Sequence, residues 1–431
     1  MRILFVYPSS LKKGFFLPTE KLLQRVPLTL AQLAALTLRE HQVDIFYENR
    51  YDKVKIKENY DLVGISCFTM HAPRAYEIAD GFREKGIPVV LGGYHPSSLP
   101  EEAKQHADSV VVGEAELTWP QLLKDFQNDS MKPFYRQETP VDPKLIPPAR
   151  RDIIKGLLPV TDVQATRGCP NRCEYCAIEK VEGHHFRKRP IENVIEEIKS
   201  IKGSYFCFYD PSLTIDVDYT KSLFEEMIGL KKNFECHGNI NILDRDDELL
   251  ALSKKAGCYG WAIGFESICQ ESLRSVGKVN KVDKYASAIK KIRRHGLGIR
   301  GLFMFGFDHD TVDIFQDTYK AMRDWKIDMA TFSILTPLPG TRIYDRFEKE
   351  GRILTKDWSK YDCGTVVFQP KHMSPEKLYN KTLELAKTYY SYSNILQRTF
   401  ESRNLDFPRF MNKFRFNFLI DKRFIKRQYG V

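Results

Sequence analysis

Three cysteines stand close together near the middle of the chain, in the segment TRGCPNRCEYCAI at residues 166–178. Cys169, Cys173 and Cys176 follow a CxxxCxxC spacing, so their thiolates can face one metal centre when the loop folds back on itself. Structural zinc usually takes four ligands in two close pairs, and the sequence has no second pair at such spacing. Three thiolates instead suit an oxygen-sensitive 4Fe-4S cluster that keeps one iron free of protein ligands.

The other six cysteines are scattered, which indicates reduced thiols rather than a disulfide framework. They are Cys67, Cys207, Cys236, Cys258, Cys269 and Cys363. The apolar run at residues 1–8 is too short for a signal peptide and predicts a buried first strand. Because no run of about eighteen apolar residues occurs, no membrane-spanning helix is expected and a cytoplasmic location is predicted.

The elements that must position the cysteines begin with an N-terminal series of strands and helices. Short apolar runs at 3–7, 43–47, 62–67, 88–91 and 110–112 alternate with amphipathic segments at 28–40, 75–85 and 117–126. This alternation predicts an α/β fold with βαβ units and a parallel sheet over residues 1–130. Ligands bind such sheets beyond the carboxyl ends of the strands, so the loops that follow strands hold the candidate residues.

A proline-rich segment separates this series from a second one. Residues 131–158 are rich in proline and turn formers, which predicts an interdomain linker. Six further strand-helix repeats over 159–340, with the first strand expected at 160–166 and the third at 236–242, predict a partial (β/α)6 barrel. Its chemistry should lie at the carboxyl ends of its strands. Residues 341–431 are expected to form a mainly helical C-terminal domain. The cysteine segment follows the first barrel strand, as a catalytic loop should.

The cysteine segment, with Tyr175 directly before the last cysteine, resembles the signature of the radical S-adenosylmethionine superfamily. The resemblance implies that the open iron chelates the amine and carboxylate of S-adenosylmethionine (SAM). One electron from an external donor of the flavodoxin or ferredoxin type would then cleave SAM to methionine and a 5′-deoxyadenosyl radical. A closed, dry barrel must place the substrate beside that radical.

Later barrel strands resemble the same superfamily. By this resemblance Tyr175, Asp210, Asn239 and Glu266 are the expected SAM contacts, and the segment at 301–308 packs on the adenine. Asp210 follows the second strand and Asn239 the third, while Glu266 belongs to the GFES segment at 264–267. A helix cap or a loop anchor is the alternative for Asp210, since an acidic residue at a strand end often has that role.

The N-terminal loops resemble cobalamin-binding-domain-type radical SAM enzymes, which place a flavodoxin-like, doubly wound domain before the barrel. The resemblance rests on GGYHP at 92–96 and ADSVVVGEAE at 107–116, and segments 357–362 and 370–374 resemble the C-terminal region of hopanoid-methylase-like members. The implied cobalamin contacts are Ser66, Thr69, Met70, Gly92, Gly93, Tyr94, Gly113 and Glu114. Glycines permit close approach to a flat macrocycle.

One motif of methylcobalamin domains is absent. The DxHxxG histidine that ligates cobalt does not follow the first strand, where residues 8–14 read PSSLKKG. Many radical methylases share this absence and leave the lower cobalt face unligated, but the domain could also persist as an empty scaffold. His71 and His95 stand in nearby loops, although a lone loop histidine is more often a hydrogen-bonded or surface residue.

The predicted function is cobalamin-dependent methylation of an unactivated carbon. The alternatives are a cobalamin-free radical SAM enzyme for carbon–carbon bond formation, cyclisation or rearrangement, and a non-enzymatic iron-sulfur or nucleic-acid binding module. With 42% hydrophobic and 28% charged residues, the composition is that of an ordinary globular protein and excludes a fibrous or low-complexity chain.

The net charge of +10 is modest for 431 residues and indicates a solvated surface, so no nucleic acid is expected as a partner. Basic and aromatic residues interleave between Arg403 and Tyr429. This tail either packs on the core of the protein, which is favoured, or makes peripheral contact with an anionic membrane. The tail mildly favours a lipid-like substrate over another small molecule.

Overall fold

The computed structural model describes residues 1–9, 27–48, 53–57, 59–156 and 160–400. Its first sheet has six parallel strands in the order β2-β1-β3-β4-β5-β6, which is the doubly wound arrangement that the sequence predicts. The strands are β1 (Arg2–Tyr7), β2 (Gln42–Tyr47), β3 (Leu62–Ser66), β4 (Val89–Gly92), β5 (Ser109–Val112) and β6 (Phe134–Arg136).

Helices cover both faces of this sheet, so its strands are apolar on both sides. In β1, Leu4 and Val6 join the hydrophobic cluster on one face, while Ile3 and Phe5 join the cluster on the other. This division follows from the alternation of side chains along a strand. The helices are Leu28–Leu36, Ala72–Arg83, Tyr94–Ser98, Pro100–Gln105 and Thr118–Gln127.

The segment 131–158, predicted as a linker, contributes to this first unit. Its residues Phe134–Arg136 form the sixth strand and pair in parallel with β5. Further along, Ala149 and Ile154 are buried in the cluster that covers one face of the sheet. Pairing with β5 outweighs the proline content, because Pro133 precedes the strand and removes no hydrogen bond from its interior.

The second sheet is a partial barrel of six parallel strands in chain order, with a two-stranded hairpin after its first strand. The barrel strands are β7 (Thr161–Val163), β10 (Tyr205–Phe208), β11 (Asn233–Gly238), β12 (Cys258–Glu266), β13 (Gly298–Phe305) and β14 (Met329–Ile334), and the hairpin strands are β8 (Thr166–Arg167) and β9 (Arg187–Lys188). The predicted first strand, 160–166, is therefore interrupted before the cysteine segment.

The barrel helices lie between successive strands and shield the sheet. They are Ile178–Glu182, Ile191–Ser200, Val217–Met227, Ile240–Leu243, Asp247–Lys255, Gln270–Ser275, Tyr285–Arg294 and Ile314–Asp324. The third predicted strand, 236–242, was placed too late in the chain. The observed strand ends at Gly238, because Asn239 caps the next helix by accepting a hydrogen bond from the N–H of Asn241.

The described part of the C-terminal region, residues 341–400, is mainly helical, as predicted. Its helices are Arg342–Lys349, Pro375–Tyr389 and Tyr392–Phe400, and a single bridge joins Ile353 to Phe368. Within the described ranges, no helix is long and apolar enough to cross a membrane. The basic aromatic tail predicted between Arg403 and Tyr429 lies outside the described residues.

Candidate cofactor site between the two sheets

The cysteine loop starts from the β8–β9 hairpin at the barrel mouth. Gly168 precedes the first cysteine with a φ of +76°, and a Cβ there would collide with the carbonyl oxygen of His185. The N–H of Cys169 donates to the carbonyl oxygen of Gly183 at 3.3 Å. Glycine is therefore required at 168 for the loop to turn back over the hairpin.

The three thiols of this loop influence one another. Cys173 is buried, and Cys169 and Cys176 are half-buried. Burial, together with the neighbouring thiols of Cys173 and Cys169, raises the pKa of Cys176 to about 11. Three thiolates would therefore be costly here without a positive group between them, and an iron-sulfur cluster supplies that charge. This donor set fits the cluster that the spacing predicts.

No three His, Cys, Asp or Glu side chains in the described part of the chain converge as ligands of one metal ion. A 4Fe-4S cluster binds each thiolate through a different iron, so its ligands need not share an ion.

A half-buried ion pair lies beside the thiols. Glu266 ends β12 with a φ of +63°, and its Oε1 is 2.9 Å from the Nζ of Lys278. Burial opposes the charge of Lys278, but Glu266 and the cysteines Cys173 and Cys176 raise its pKa above the ordinary value. The GFES segment indicates Glu266, but no sequence motif indicates Lys278. The only local signal for Lys278 is the turn at Gly277, which has a φ of +70°.

Asp210 has one engaged oxygen and one free oxygen. Its Oδ1 accepts hydrogen bonds from the N–H of Ala165 at 3.0 Å and from Oγ1 of Thr166 at 2.7 Å. Oδ2 is buried without a hydrogen-bond partner among the described residues. Burial raises the pKa of Asp210 to about 7. Asp210 therefore anchors the hairpin that carries the cysteines, and it retains one acceptor for a ligand.

The other predicted SAM contacts differ in their surroundings. The Tyr175 ring lies edge-on to Phe307, with a centroid distance of 6.1 Å. Burial raises the pKa of the Tyr175 hydroxyl, and the nearby Glu266 and Cys173 also raise it. Asn239 uses its Oδ1 as the helix cap and donates from Nδ2 to Asn280 at 3.3 Å. The structure thus brings Tyr175 and Glu266 to the thiols, whereas Asn239 belongs to a neighbouring polar network.

A cavity of about 440 Å³ lies between the carboxyl edge of the first sheet and the cysteine loop. Most of the predicted cobalamin contacts line it, namely Ser66, Gly92, Gly93, Tyr94, Gly113 and Glu114. The barrel contributes Asp162, Gln164, Arg167, Tyr209 and the helix that follows Cys176. Thr69 and Met70 belong to the short 3-10 turn Thr69–His71 and are not among the lining residues.

The inner end of this cavity is apolar and enters the first domain. Phe5, Val90, Val111 and Trp119 line it on one face of the sheet, beneath the helix Leu28–Leu36. At its rim, Gly93 has a φ of +93°, and a Cβ there would lie 2.8 Å from the Oγ of Ser66. Any other residue at 93 would be strained and would displace Ser66 from the rim.

Two buried polar atoms of the cavity lining have no partner in the described residues: Nε2 of Gln32 and Oε2 of Glu116. Such atoms can bond to a bound molecule, since the amide Nε2 donates and the carboxylate Oε2 accepts. The corrin ring of cobalamin carries primary amides that can donate and accept, so the site fits this cofactor. Glu116, which the sequence analysis did not select, thus offers a free oxygen.

Glu114 differs from Glu116, because protein groups engage both of its oxygens. Arg167 donates to its Oε1 at 2.8 Å, and Arg187 donates to its Oε2 at 2.8 Å. The N–H of Val141 also donates to Oε2 at 2.8 Å. Glu114 therefore lines the cavity as part of an ion network.

The two loop histidines are not among the lining residues of the cavity. His95 is fully buried, and its Nε2 lies 3.1 Å from the hydroxyl of Tyr76 and 3.2 Å from Oε1 of Glu102. His95 is thus a hydrogen-bonded core residue, which is the alternative that the sequence favoured.

Comparison with protein families assigns three regions of the chain. Residues 33–123 match the B12 binding domain, residues 163–322 match the radical SAM superfamily, and residues 341–420 match a domain of unknown function. The first two regions contain the glycine edge of the first sheet and the cysteine loop.

Two curated relatives from Chlorobaculum tepidum match most of the chain. Bacteriochlorophyllide d C-12(1)-methyltransferase is 32% identical over 406 residues, which cover 90% of this chain and 87% of the relative. Bacteriochlorophyllide d C-8(2)-methyltransferase is 34% identical over 397 residues, which cover 86% of this chain and 87% of the relative.

Among solved structures, the cobalamin-dependent SAM radical enzyme OxsB, with aqua-cobalamin and SAM bound, has the same fold. It superposes with a TM-score of 0.69 at 14% identity, covering 96% of this chain and 70% of that chain. The two sheets, the cysteine loop between them and the full-length relatives lead to one conclusion: the chain belongs to the radical SAM enzymes with a B12-binding domain, whose cofactors are a 4Fe-4S cluster, SAM and cobalamin.

Proposed function

We propose that this chain is a methyltransferase that adds a methyl group to an unactivated carbon of a small-molecule substrate. The observation that carries the proposal is the cavity whose lining comes both from the glycine edge of the first sheet and from the cysteine hairpin. A site shared in this way brings a cobalamin and a SAM-binding cluster next to one another. Transfer of a methyl group between two cofactors and a substrate requires such proximity.

For the cluster, we assign Cys169, Cys173 and Cys176 as the ligands. When bound, the cluster supplies the electron that cleaves SAM, and an external donor of the flavodoxin or ferredoxin type must supply that electron. The chain's own groups then orient SAM. Lys278 is a cation beside Glu266 and the thiols and suits a carboxylate, while the free Oδ2 of Asp210 suits an ammonium group.

For cobalamin, we assign Ser66, Gly92, Gly93, Tyr94 and Gly113 as contacts, because all five line the cavity. Cobalamin supplies the methyl group when it is bound. The protein supplies an apolar recess for the cofactor, unpaired polar atoms at its rim and exclusion of water from the reacting groups. Thr69 and Met70 remain predictions from sequence, with no support from the cavity lining.

The substrate class that we propose is a flat or extended apolar molecule. Two large aromatic residues that line the cavity are partly exposed: Phe68 is 45% and Tyr209 is 53% exposed. Aromatic faces of this kind stack on apolar rings. The two Chlorobaculum tepidum relatives are named for methylation of bacteriochlorophyllide d, a ring molecule of this type.

The scattered thiols and the absence of a long apolar run in the sequence support a cytoplasmic location. Contact with a membrane through residues 403–429 remains a prediction from sequence.

The test supplies SAM carrying a CD3 methyl group to protein loaded with cluster and cobalamin under a low-potential reductant. Candidate substrates are bacteriochlorophyllide d and a hopanoid, and mass spectrometry identifies the products. We expect a CD3 increment on a carbon of one apolar ring substrate, together with 5′-deoxyadenosine. The Cys173→Ala variant, as control, should give neither product. Product that forms equally well without cobalt would reject the methyltransferase and favour cobalamin-free cyclisation or rearrangement.

A further inference from the structure

An acidic pair from the first domain meets an arginine from the cysteine hairpin at the cavity. Arg167 immediately precedes the cluster loop, and its Nη1 lies 2.8 Å from Oε1 of Glu114. Its Nη2 lies 2.7 Å from Oε1 of Glu116. All three side chains are at most 8% exposed. One planar guanidinium thus joins two carboxylates in a dry environment, an arrangement that lysine cannot reproduce.

A second arginine completes this ion network. Arg187 pairs with Arg167 across the hairpin, and its Nη1 is 2.8 Å from Oε2 of Glu114. Burial opposes the charge of Arg167, but Glu116 and Glu114 raise the pKa of its guanidinium above the ordinary value. Two cations therefore balance two carboxylates. We call Arg167, Arg187, Glu114 and Glu116 the arginine clamp.

The clamp also extends to the turn that begins the cluster loop. Nε of Arg167 donates to Oε1 of Gln164 at 2.9 Å, and Nε2 of Gln164 donates to Oε1 of Glu182 at 3.0 Å. Oε2 of Glu182 accepts from the N–H of Gly168 at 2.9 Å. A continuous hydrogen-bonded path therefore connects the acidic pair with the residue before Cys169.

The other end of the clamp borders the cavity. Glu116 is one of the lining residues, and its Oε2 is enclosed with no hydrogen-bond partner in the described ranges. The corrin edge carries primary amides, whose N–H groups suit a carboxylate oxygen. Glu116 can therefore hold a corrin amide with Oε2 while Arg167 holds Oε1.

We propose that Arg167 is a positioning residue that fixes the corrin-binding loop of the first domain at one distance from the cluster hairpin, with Glu116 as the corrin contact. This inference rests on the proposed function, since it needs both cofactors in one site. If Arg167 has this role, its loss should leave each cofactor bound but should change the position of one cofactor relative to the other. Misplacement of about 1 Å can lower a rate on the order of a hundredfold.

The experiment needs no carbon substrate. Full-length protein with reconstituted cluster is supplied with hydroxocobalamin, SAM and titanium(III) citrate, and two products are measured. Release of S-adenosylhomocysteine reports methyl transfer from SAM to cobalamin. It requires the two cofactors to be correctly positioned relative to one another. Release of 5′-deoxyadenosine needs only the cluster and SAM. Hydroxocobalamin affinity, from its absorbance, is a third readout that is independent of turnover.

The informative variants are Arg167→Gln, Arg167→Lys and Glu116→Ala. Arg167→Gln should keep 5′-deoxyadenosine release while S-adenosylhomocysteine release falls at least about tenfold. Arg167→Lys should lie between this variant and wild type, because a point charge reaches one carboxylate at a time. Glu116→Ala should weaken hydroxocobalamin binding by about tenfold.

The matched control is Arg74→Gln, which removes a buried ion pair of equal length. Nη2 of Arg74 lies 2.7 Å from Oε1 of Glu48, their side chains are 7% and 1% exposed, and neither residue lines the cavity. This control should leave the ratio of the two products unchanged.

Equal losses of both products in Arg167→Gln, or no change in their ratio, would overturn the positioning role, and unchanged affinity in Glu116→Ala would overturn the corrin contact. If Arg167→Gln does not fold, the ratio of S-adenosylhomocysteine to 5′-deoxyadenosine in Arg167→Lys tests the positioning role instead. Wild-type protein that binds hydroxocobalamin but releases no S-adenosylhomocysteine would instead reject the proposed function.

Discussion

At the scale of single residues, the three cluster cysteines differ in their position from the thiols on the barrel strands. Cys169 and Cys176 are half-buried in a loop at the barrel mouth, whereas Cys236 and Cys258 are fully enclosed on adjacent barrel strands. Burial inhibits ionisation of an enclosed thiol, since it raises the pKa of Cys236 well above the ordinary value. The enclosed thiols are therefore packing groups.

This difference gives a prediction for cysteine variants. Changing Cys169, Cys173 or Cys176 to alanine should abolish the brown cluster absorbance and all 5′-deoxyadenosine release, because each thiolate binds its own iron. Iron content and the visible spectrum of anaerobically purified protein measure the effect. Cys236→Ala and Cys258→Ala are the controls and should cost about 1–2 kcal/mol of stability with full iron content. Full iron content in a variant of the first group would refute the ligand assignment.

The glycine edge of the first sheet allows a second prediction. A Cβ at Gly92 would lie 3.7 Å from Val111, which is ordinary contact, whereas a Cβ at Gly93 would be 3.0 Å from the backbone nitrogen of Cys67. Leucine at 92 should therefore occupy the cavity without strain and weaken hydroxocobalamin binding by about tenfold, or ~1.4 kcal/mol. The retained absorbance after gel filtration measures this.

Gly93→Ala serves as the comparison for Gly92→Leu. It should lower stability by about 1–3 kcal/mol, because its φ of +93° is strained for any side chain. Unchanged cobalamin binding in Gly92→Leu would contradict the proposed corrin position.

Local spacing indicates the three cysteines and the family resemblance indicates Tyr175, but neither could predict how the two glutamates of one loop differ. Glu114 and Arg167 are 53 residues apart in the chain. Which carboxylate oxygen stays free depends on Arg187, which arrives from the opposite strand of the hairpin. Tertiary contacts of this kind leave no periodic signal in the sequence.

At the scale of elements, the alternation of strands and helices predicted both parallel sheets, and the misses were short or capped segments. Strand β6 has only three residues, too few for a recognisable period, and exists through its pairing with β5. The end of β11 moved because the side chain of Asn239 offers the backbone a helix cap. Both errors follow from contacts that override local propensity.

The carboxylate of Asp308 helps to join the C-terminal helix Arg342–Lys349 to the barrel, which gives a pH-dependent prediction. Asp308 follows β13 and is 2.8 Å from Nη2 of Arg352 and 2.7 Å from Nη1 of Arg346. Burial alone would raise the pKa of Asp308, but these arginines outweigh burial and lower it to about 2. Its contribution to stability is thus present above about pH 4 and is lost as the pH falls through about 2.

Asp308→Asn should therefore reduce the free energy of unfolding by about 2–3 kcal/mol near pH 7, and the difference from wild type should shrink toward about pH 3. Urea unfolding of the two proteins at both pH values measures this. Asp345→Asn, an exposed change in the attached helix, should have little effect at either pH. A difference that grows on acidification would contradict the ion-pair origin.

At the scale of the whole molecule, a few distant contacts hold the first domain over the barrel mouth. The hydroxyl of Tyr94 donates to the carbonyl oxygen of Pro339 at 2.7 Å, and Nε1 of Trp358 donates to Oε1 of Glu102 at 3.0 Å. Together with the arginine clamp, they connect the first domain to the barrel and to the C-terminal region. Two sheets that each present their carboxyl edges thus enclose one cavity.

The most direct test of a shared site is the cofactor dependence of the two SAM-derived products in wild-type protein. The protein is purified anaerobically, with and without hydroxocobalamin, and is then reduced in the presence of SAM. We predict that both preparations release 5′-deoxyadenosine, but only the cobalamin-loaded one releases S-adenosylhomocysteine. The same yield of S-adenosylhomocysteine from the cobalamin-free preparation would contradict a cavity that places cobalamin beside SAM.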